Sequence, residues 1–318
     1  MGKASKAKVE PSRREKIAAQ QAAARRAEQR RRILIASGSI LVVLVVVLVF
    51  VVVKLTSGSG SGSDNSSNGP TGSALAAVVK TVTSVPASTL NTVGAGSGII
   101  ATPESIKGTA LTENGKPEML YIGAEYCPYC AAERWGMIVA LSRFGTFTGL
   151  STLHSAKANG AGEAEPYPDT PTWTFAKATY TSQYLSFTPV ETYTNIPDTS
   201  NKAYTVLETP TSAQQALLAK YDVPPLVPAS DAGAIPFVDF GNKYVIGGAG
   251  YLPSTLAGLS WATIAGDLSN ASSTVAQQVD GTANYITAAI CGITGNTPAS
   301  VCNSTIQTLE TKIGSLAG

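Results

Sequence analysis

A long, predominantly apolar stretch near the N-terminus limits what this chain of 318 residues can form more than any other feature. From Ile33 to Val53, "ILIASGSILVVLVVVLVFVVV", it contains 21 residues and no charged side chain. At about 1.5 Å per helical residue this length spans the roughly 30 Å hydrocarbon core of a bilayer. The stretch is longer than the apolar part of a signal peptide, and it ends at Lys54 without a small-residue cleavage pattern. It therefore predicts an uncleaved transmembrane helix over residues 33–53.

The charges on either side of this stretch predict its orientation. Residues 1–32 carry 11 Lys or Arg and 3 Glu, whereas residues 55–318 carry 11 Lys or Arg and 18 acidic residues. Because basic residues that flank a membrane span stay in the cytoplasm, the N-terminus is predicted to be cytoplasmic and the long C-terminal part extracytoplasmic. The basic segment contains no aromatic residue for stacking on bases and ends at the predicted membrane span. We expect it to set topology and contact the lipid bilayer, with no nucleic-acid partner.

The remainder of the chain divides by composition and by hydrophobic period. Residues 54–73 are rich in Gly and Ser and predict a flexible linker. Residues 74–270 alternate predicted strands with predicted helices, which favours an α/β fold with a central sheet flanked by helices. Within that domain a large insertion is expected at about residues 151–222, and residues 271–318 are expected to form a C-terminal helical extension.

The segment "EYCPYC" holds two of the four cysteines, Cys127 and Cys130. A predicted buried strand, "KPEMLYI", runs into it, and Pro128 is well suited to begin the helix that follows. Backbone N–H groups at a helix start favour a thiolate, so Cys127 is predicted to be the nucleophile. Cys130, one turn deeper, is predicted to be the resolving cysteine. The carboxylate of Glu125 would oppose thiolate formation and is a candidate for tuning the pKa of Cys127.

The succession of the strand "EMLYIGA", the motif "CPYC", a helix, the hairpin beginning "AIPFVDFGN" and a final helix resembles the thioredoxin superfamily. The resemblance implies a thioredoxin-like central sheet. It also implies a cis proline at Pro236, after Ile235, that faces the disulfide and binds the substrate backbone. The longer match "YIGAEYCPYCAAERW" most closely resembles a family of single-span archaeal and actinobacterial membrane proteins of unknown function. The long interval between Cys130 and Pro236 departs from a minimal thioredoxin and is the reason for expecting the insertion.

The second cysteine pair lies near the C-terminus. Cys291 ends the stretch "ANYITAAIC", and Cys302 opens an apolar pattern that continues at Ile306, Leu309 and Ile313. Two antiparallel helices joined by "GITGNTPAS" would bring the two sulfurs together. We therefore predict a C-terminal helical hairpin closed by a structural disulfide, in preference to a redox relay.

Alternative kinds of site have weaker patterns. Four cysteines supply a zinc site only if the two distant pairs meet, and the interval between Cys291 and Cys302 is unlike a zinc knuckle. His154, the single histidine, is expected at the surface or at a strand end, and Asp239 and Asp267 are expected to be solvent-facing or strand-end charges. The Gly-x-Gly fragments do not open a nucleotide-binding unit. We expect neither a metal nor a cofactor.

The aromatic residues of the predicted insertion have two interpretations. Trp173, Phe175 and Phe187 fit core packing more readily than a surface that grips an unfolded polypeptide, although both remain open.

Two functions remain open from the sequence. The first is a membrane-anchored, extracytoplasmic thiol–disulfide oxidoreductase that acts on cysteines of secreted or membrane proteins, with a membrane thiol oxidase as a further partner. Its electron flow can run in either direction. The second is a non-catalytic thioredoxin-like binding or scaffold module in which Cys127 and Cys130 form a structural disulfide.

Overall fold

The computed structural model describes residues 69–314. Its helices are α1 (Gly72–Val82), α2 (Ala87–Val93), α3 (Pro128–Leu141), α4 (Ser212–Tyr221), α5 (Trp261–Asp267), α6 (Thr274–Ile293) and α7 (Ser304–Glu310), with a 3-10 turn at Pro253–Thr255. The strands are β1 (Glu104–Ser105), β2 (Thr112–Glu113), β3 (Lys116–Gly123), β4 (Gly145–Thr148), β5 (Ser151–His154), β6 (Pro171–Thr174), β7 (Thr179–Ser182), β8 (Ser186–Glu191), β9 (Tyr193–Asp198), β10 (Ala203–Val206), β11 (Phe237–Phe240) and β12 (Tyr244–Gly247).

Several predicted segments lie outside the described residues. They are the basic segment 1–32, the transmembrane helix 33–53 and most of the linker 54–73. Within residues 69–314 no single helix has both the length and the apolar character needed to cross a membrane. Helices α1 and α2 have them only when taken together, and the two helices meet at a bend of 58°.

A mixed six-stranded sheet forms the centre of the structure. Its strands follow the order β1-β12-β11-β3-β2, and β8 also pairs with β3. The β3–β8 pair is parallel, whereas β11 is antiparallel to both β3 and β12. The predicted α/β fold, with a central sheet and flanking helices, is confirmed at this level.

The central position of β3 follows from its sequence. Every residue from Glu118 to Gly123 is buried, because β3 has neighbours along both edges and layers on both faces. A strand in that position reads as a continuous apolar run rather than as an alternating one. The strand ends directly before the CPYC segment, Cys127–Cys130.

Helix α3 is more deeply buried than its sequence predicts. Trp135, Ile138, Val139 and Leu141 have the spacing of one broad apolar helical face, and all four are buried. However, every residue of α3 except Tyr129 is buried, since the helix packs against α6, β6 and α1 as well. Even charged residues of this helix are therefore removed from water.

Only part of the predicted insertion at residues 151–222 lies outside the central sheet. One of its strands, β8, belongs to the central sheet, where it lies parallel to β3. The other strands between residues 145 and 206 pair outside the central sheet, as β4–β7, β5–β6 and β9–β10. Trp173 and Phe175 are 0% and 1% exposed, so both serve core packing.

The hairpin β11–β12 forms where it is predicted, with a longer loop. The sequence predicts a two-residue turn at Gly241 and Asn242, but Phe240 pairs with Tyr244, so the loop has three residues. Gly241 and Asn242 both have positive φ, at 63° and 55°, as Gly and Asn readily allow. Asp239 was expected to be a solvent-facing or strand-end charge. The expectation that Asp239 faces solvent is wrong, because Asp239 is fully buried. It accepts a 2.6 Å hydrogen bond from the N–H of Asn242.

The predicted C-terminal disulfide is confirmed. Cys291 lies in the last turn of α6 and is bonded to Cys302, with 5.7 Å between their Cα atoms. Cys302 precedes α7 rather than lying within it, since Asn303 caps that helix. Ile306, Leu309 and Ile313 are buried as the apolar pattern predicts. The disulfide thus ties the end of α6 to the start of α7.

Candidate dithiol site

Cys127 occupies the N-cap position of α3, as the sequence predicts. Its backbone is extended, with φ −73° and ψ 123°, and Pro128 is the first helical residue. The Sγ atom of Cys127 accepts a hydrogen bond of 3.3 Å from the backbone N–H of Cys130. The sulfur thereby takes the place that a Ser or Asp oxygen takes at many helix starts. Negative charge on this sulfur would lie at the positive end of the helix dipole.

Both sulfurs of the CPYC segment are thiols, and both are buried. Cys127 is 6% exposed and Cys130 is 0% exposed. Cys130 is therefore the more completely enclosed of the two side chains.

The pKa of Cys127 is lowered from its usual value. Burial alone would raise this pKa, but hydrogen bonds from the thiol and the backbone N–H of Cys130 lower it, as does the positive charge of Arg134. The pKa of Cys130 moves the other way, because burial, its hydrogen bond to Cys127 and the charge on that sulfur all raise it. Of the two thiols, Cys127 is consequently the one that ionises first.

The peptide bond between Ile235 and Pro236 is cis, as the resemblance implied, and it lies beside the sulfur of Cys127. The thiol of Cys127 donates a hydrogen bond of 3.6 Å to the carbonyl oxygen of Ile235. Pro236 leads directly into β11, which pairs with β3. Residues separated by more than a hundred positions are thus brought together because their two strands are neighbours in the sheet.

Arg134 is a component of the site that the sequence reasoning missed. It lies one helical turn after Cys130 and is 0% exposed. Its Nε and Nη2 atoms donate hydrogen bonds of 2.9 and 2.6 Å to the carboxylate of Glu191 at the end of β8, and Nη2 also donates to the carbonyl of Ala124 at 2.7 Å. The sequence feature that could have pointed to Arg134 is the charged pair Glu133-Arg134, "ER", inside an otherwise apolar helix. A charge in such a helix needs a partner, but the sequence does not show which one.

Glu125 lies two residues before Cys127 and is 9% exposed. Burial raises the pKa of its carboxyl, an effect that the hydroxyl of Thr174 partly offsets and the charge of Glu191 reinforces. The raised pKa means that Glu125 carries its negative charge over a narrower pH range than an exposed glutamate does.

Tyrosine rings surround the CPYC segment. The ring of Tyr126 stacks on Tyr204 with centroids 4.0 Å apart, and it contacts the edge of Tyr193 at 6.2 Å. On the other side of Cys127 in the sequence, Tyr129 contacts Tyr167 at 5.7 Å. Strands β9 and β10 and the loop before β6 thus hold the dithiol loop in place through ring contacts, which were not foreseen from the sequence.

The remaining candidates do not join this site as ligands. His154 is the last residue of β5, and its ring packs against Trp261 with centroids 4.6 Å apart. Cys291 and Cys302 are bonded to each other and so are not available as thiolate ligands for a four-cysteine zinc site. Across residues 69–314, no three His, Cys, Asp or Glu side chains are grouped closely enough to hold a metal ion.

Comparison with known proteins gives one match. The model of a family described as "Domain of unknown function (DUF929)" matches residues 103–292, a range that includes both cysteines of the dithiol, Arg134, Glu191 and Pro236. Neither the curated proteins nor the solved structures include a significant match to the chain.

Proposed function

The chain belongs to the DUF929 family, whose description names no activity, and from the geometry of its dithiol we propose that it is a thiol–disulfide oxidoreductase acting on protein cysteines. The observation that carries the proposal is the asymmetry of the pair. Cys127 is at a helix start, slightly exposed, with a lowered pKa, whereas Cys130 is fully buried with a raised pKa. A pair that serves only as a staple has no need of this difference.

The exchange proceeds in two steps with the protein disulfide as oxidant. A substrate thiolate attacks Sγ of Cys127, the Cys127–Cys130 bond breaks, and Cys130 leaves as a thiolate that takes up a proton. A second substrate thiolate then attacks the substrate sulfur of the mixed disulfide, and Cys127 leaves. Two electrons pass from the substrate dithiol to the protein, which ends as the dithiol. A lowered pKa makes Cys127 a good leaving group in the second step.

The same pKa favours the oxidising direction. A stabilised thiolate stabilises the reduced protein relative to its disulfide, and so makes the disulfide a stronger oxidant. Arg134 and the N–H of Cys130 supply that stabilisation. Continued turnover needs a partner that removes two electrons from the dithiol. We propose a membrane thiol oxidase for this role, in line with a single transmembrane helix at residues 33–53 and an extracytoplasmic catalytic domain.

A thioredoxin-like core is part of the proposal, and several observations support it. Strand β3 runs into the CPYC segment, α3 follows, and β8 lies parallel to β3. The cis bond before Pro236 begins the antiparallel hairpin β11–β12, and α5 comes after it. Pro236 is positioned to bind the backbone of a substrate next to Cys127.

Trapping of mixed disulfides tests the proposal. In a Cys130→Ala variant, Cys127 cannot form an internal disulfide, but its thiolate can attack the disulfide of an oxidised substrate protein and displace one substrate sulfur as a thiolate. Because no second cysteine of the site can then release this mixed disulfide, we expect substrate proteins to accumulate in disulfide linkage to Cys127. Cys127→Ala is the matched control and should trap nothing. If Cys130→Ala also traps nothing, and the wild-type disulfide is inert to dithiothreitol, the oxidoreductase proposal fails. A binding or scaffold module with a structural CxxC disulfide would then be the better interpretation.

A further inference from the structure

The exposed apolar side chains are confined to two places. Among residues 69–314, every large hydrophobic residue that is strongly exposed lies either on strands β9 and β10 and the residue after them or beside a single cleft. The first group is Tyr193, Ile196, Val206 and Leu207, and the second is Ile100 and Leu252. Scattered single exposures are ordinary on a protein surface, but confinement of all of them to two places indicates contact surfaces.

The first surface is the ribbon, defined here as β9–β10 with Leu207. Ile196 and Val206 are 60% and 59% exposed. The ribbon touches the dithiol loop directly, since Tyr193 and Tyr204 both contact the ring of Tyr126. The backbone N–H of Glu125 also donates a 2.9 Å hydrogen bond to the carbonyl of Tyr193. The apolar residues of the ribbon are therefore attached to the residue that precedes Cys127.

The second surface is the cleft, which has a volume of about 640 Å³. Its lining includes Ile100, Leu226 and Leu252 together with Tyr129 and Ile235. Tyr129 belongs to the CPYC segment, and the carbonyl of Ile235 accepts the hydrogen bond from the Cys127 thiol. The cleft is thus lined by two residues that adjoin the dithiol, Tyr129 within the CPYC segment and Ile235 before Pro236.

The charged residues of the cleft restrict what it accepts. Glu104 and Asp231 are among its lining residues, and the described lining contains no Lys or Arg. An acidic segment would be repelled there, whereas apolar side chains accompanied by neutral or basic residues would be accepted.

We propose that the ribbon and the cleft together bind a non-native polypeptide segment, with apolar side chains on both sides of the cysteine that reacts with Cys127. This inference rests on the proposed oxidoreductase function and names its substrate class. A folded protein seldom offers apolar residues on both sides of an accessible cysteine, because those residues are normally inside its core. An unfolded segment exposes apolar residues on both sides of its cysteine, and it can lie along both surfaces while its sulfur reaches Cys127. Newly exported chains before their disulfides form have this chemistry.

A pair of thiol peptides tests the inference on the full chain in lipid nanodiscs. Each peptide has one central cysteine and the same net positive charge; one carries Leu and Phe on both sides of the cysteine, and the other carries Ser and Gln. The rate at which each peptide reduces the Cys127–Cys130 disulfide is followed by acid quenching and maleimide labelling. We expect the apolar peptide to react about tenfold faster, as burial of about one apolar side chain predicts.

Charged substitutions locate the binding surface. Val206→Glu on the ribbon and Leu252→Glu beside the cleft should each remove most of the advantage of the apolar peptide. Both should leave reduction by dithiothreitol within about twofold of wild type, since the dithiol itself is not altered. Ala76→Glu on the exposed side of α1 is the matched control and should leave the advantage unchanged. Thermal unfolding of each variant verifies that the fold is retained.

The possible failures are distinguishable. If dithiothreitol reduces the disulfide and the apolar and polar peptides reduce it at equal rates, the surface inference is wrong while the oxidoreductase proposal stands. If no thiol reduces the disulfide, the oxidoreductase proposal fails and the inference fails with it. If Val206→Glu and Leu252→Glu change self-association but not the peptide rates, a second copy of the chain occupies the surface, and the inference is again wrong.

Discussion

Arg134 and Glu191 form a fully buried ion pair with two hydrogen bonds, at 2.9 and 2.6 Å, one helical turn beyond Cys130. Both side chains are 0% exposed, so removing either leaves the other as an uncompensated charge. The pair also joins α3 to β8, and hence the dithiol helix to the central sheet. Its electrostatic effect on the dithiol comes mainly from Arg134, whose charge lowers the pKa of Cys127.

Substitutions in this pair should move the pKa of Cys127 in opposite directions. Glu191→Gln leaves the charge of Arg134 unneutralised, so the pKa of Cys127 should fall further and the disulfide should become more oxidising. Arg134→Gln removes the positive charge, so the pKa should rise. The ultraviolet absorbance of the thiolate as a function of pH measures both changes.

The direction of the change in the pKa of Cys127 separates an electrostatic role of the ion pair from a structural one. Both single substitutions should lower the free energy of unfolding, by about 3–5 kcal/mol, since each breaks a buried pair. If the ion pair affects the dithiol only by loosening the fold, the pKa of Cys127 will instead move in the same direction in both variants. Arg134→Lys keeps the charge without the two-point geometry, and should retain much of the lowered pKa at some cost in stability.

Glu125→Gln tests the carboxyl nearest to the nucleophile in sequence. Because burial raises the pKa of Glu125, the wild-type carboxyl is ionised only above that raised value. Removing it should lower the pKa of Cys127, and the difference from wild type should disappear at low pH, where Glu125 is protonated. Alkylation rates of Cys127 measured across pH provide the comparison. Equal rates at every pH would show that Glu125 does not act on the thiol.

The disulfide between Cys291 and Cys302 should contribute stability without contributing to exchange. The cysteines are 11 residues apart, and closing a loop of that size stabilises a fold by about 3 kcal/mol in the chain-entropy model. A Cys291→Ala, Cys302→Ala variant should lose about that much free energy of unfolding and keep its rate of exchange with thiol peptides. Loss of exchange in a variant that still folds would instead indicate a redox relay.

The elements that depend on local spacing could be predicted from the sequence. Cys127 is predicted at a helix start because Pro128 follows it, and the C-terminal disulfide is predicted from two apolar helical patterns joined by a short loop. The hairpin β11–β12 follows from Gly241 and Asn242 between two apolar strands. Each of these features is contained within a short continuous part of the chain, the longest being residues 283–313.

The features that depend on distant pairing could not be predicted. Glu191 meets Arg134 only because β8 pairs in parallel with β3, and 57 residues separate the two side chains. The stretch "YLSFTPVETYT" predicts a strand, but the sequence does not show which strand it pairs with. Pro189 is tolerated within β8 because β3 is the only described strand that pairs with β8. The exposure of Ile196 and Val206 on the ribbon could not be predicted either, since these side chains are as apolar as those of a core strand.

Two buried carboxyls at the interface of α3 and α6 predict how stability depends on pH. Glu133 and Asp280 are both 0% exposed. The Oε2 atom of Glu133 accepts a hydrogen bond of 2.8 Å from the N–H of Gly250, whereas both oxygens of Asp280 are without a hydrogen-bond partner. Burial raises the pKa of Glu133 to about 7 and the pKa of Asp280 to about 8, although the charge of Arg143 lowers the latter in part.

Stability should therefore fall as pH rises towards these values. Below the unfolded-state pKa of each carboxyl, both states are protonated and the fold is unaffected. Between the unfolded and the folded pKa, the unfolded state releases a proton that the folded state keeps, so each group lowers the free energy of unfolding by about 1.4 kcal/mol per pH unit. Asp280→Asn removes one titrating group and should flatten the decline between about pH 4 and pH 8, which urea unfolding at several pH values measures. Asp267→Asn, at a partly exposed carboxyl outside this interface, is the control and should leave most of the slope in place. An unchanged slope in Asp280→Asn would show that Asp280 ionises as readily in the folded state as in the unfolded chain.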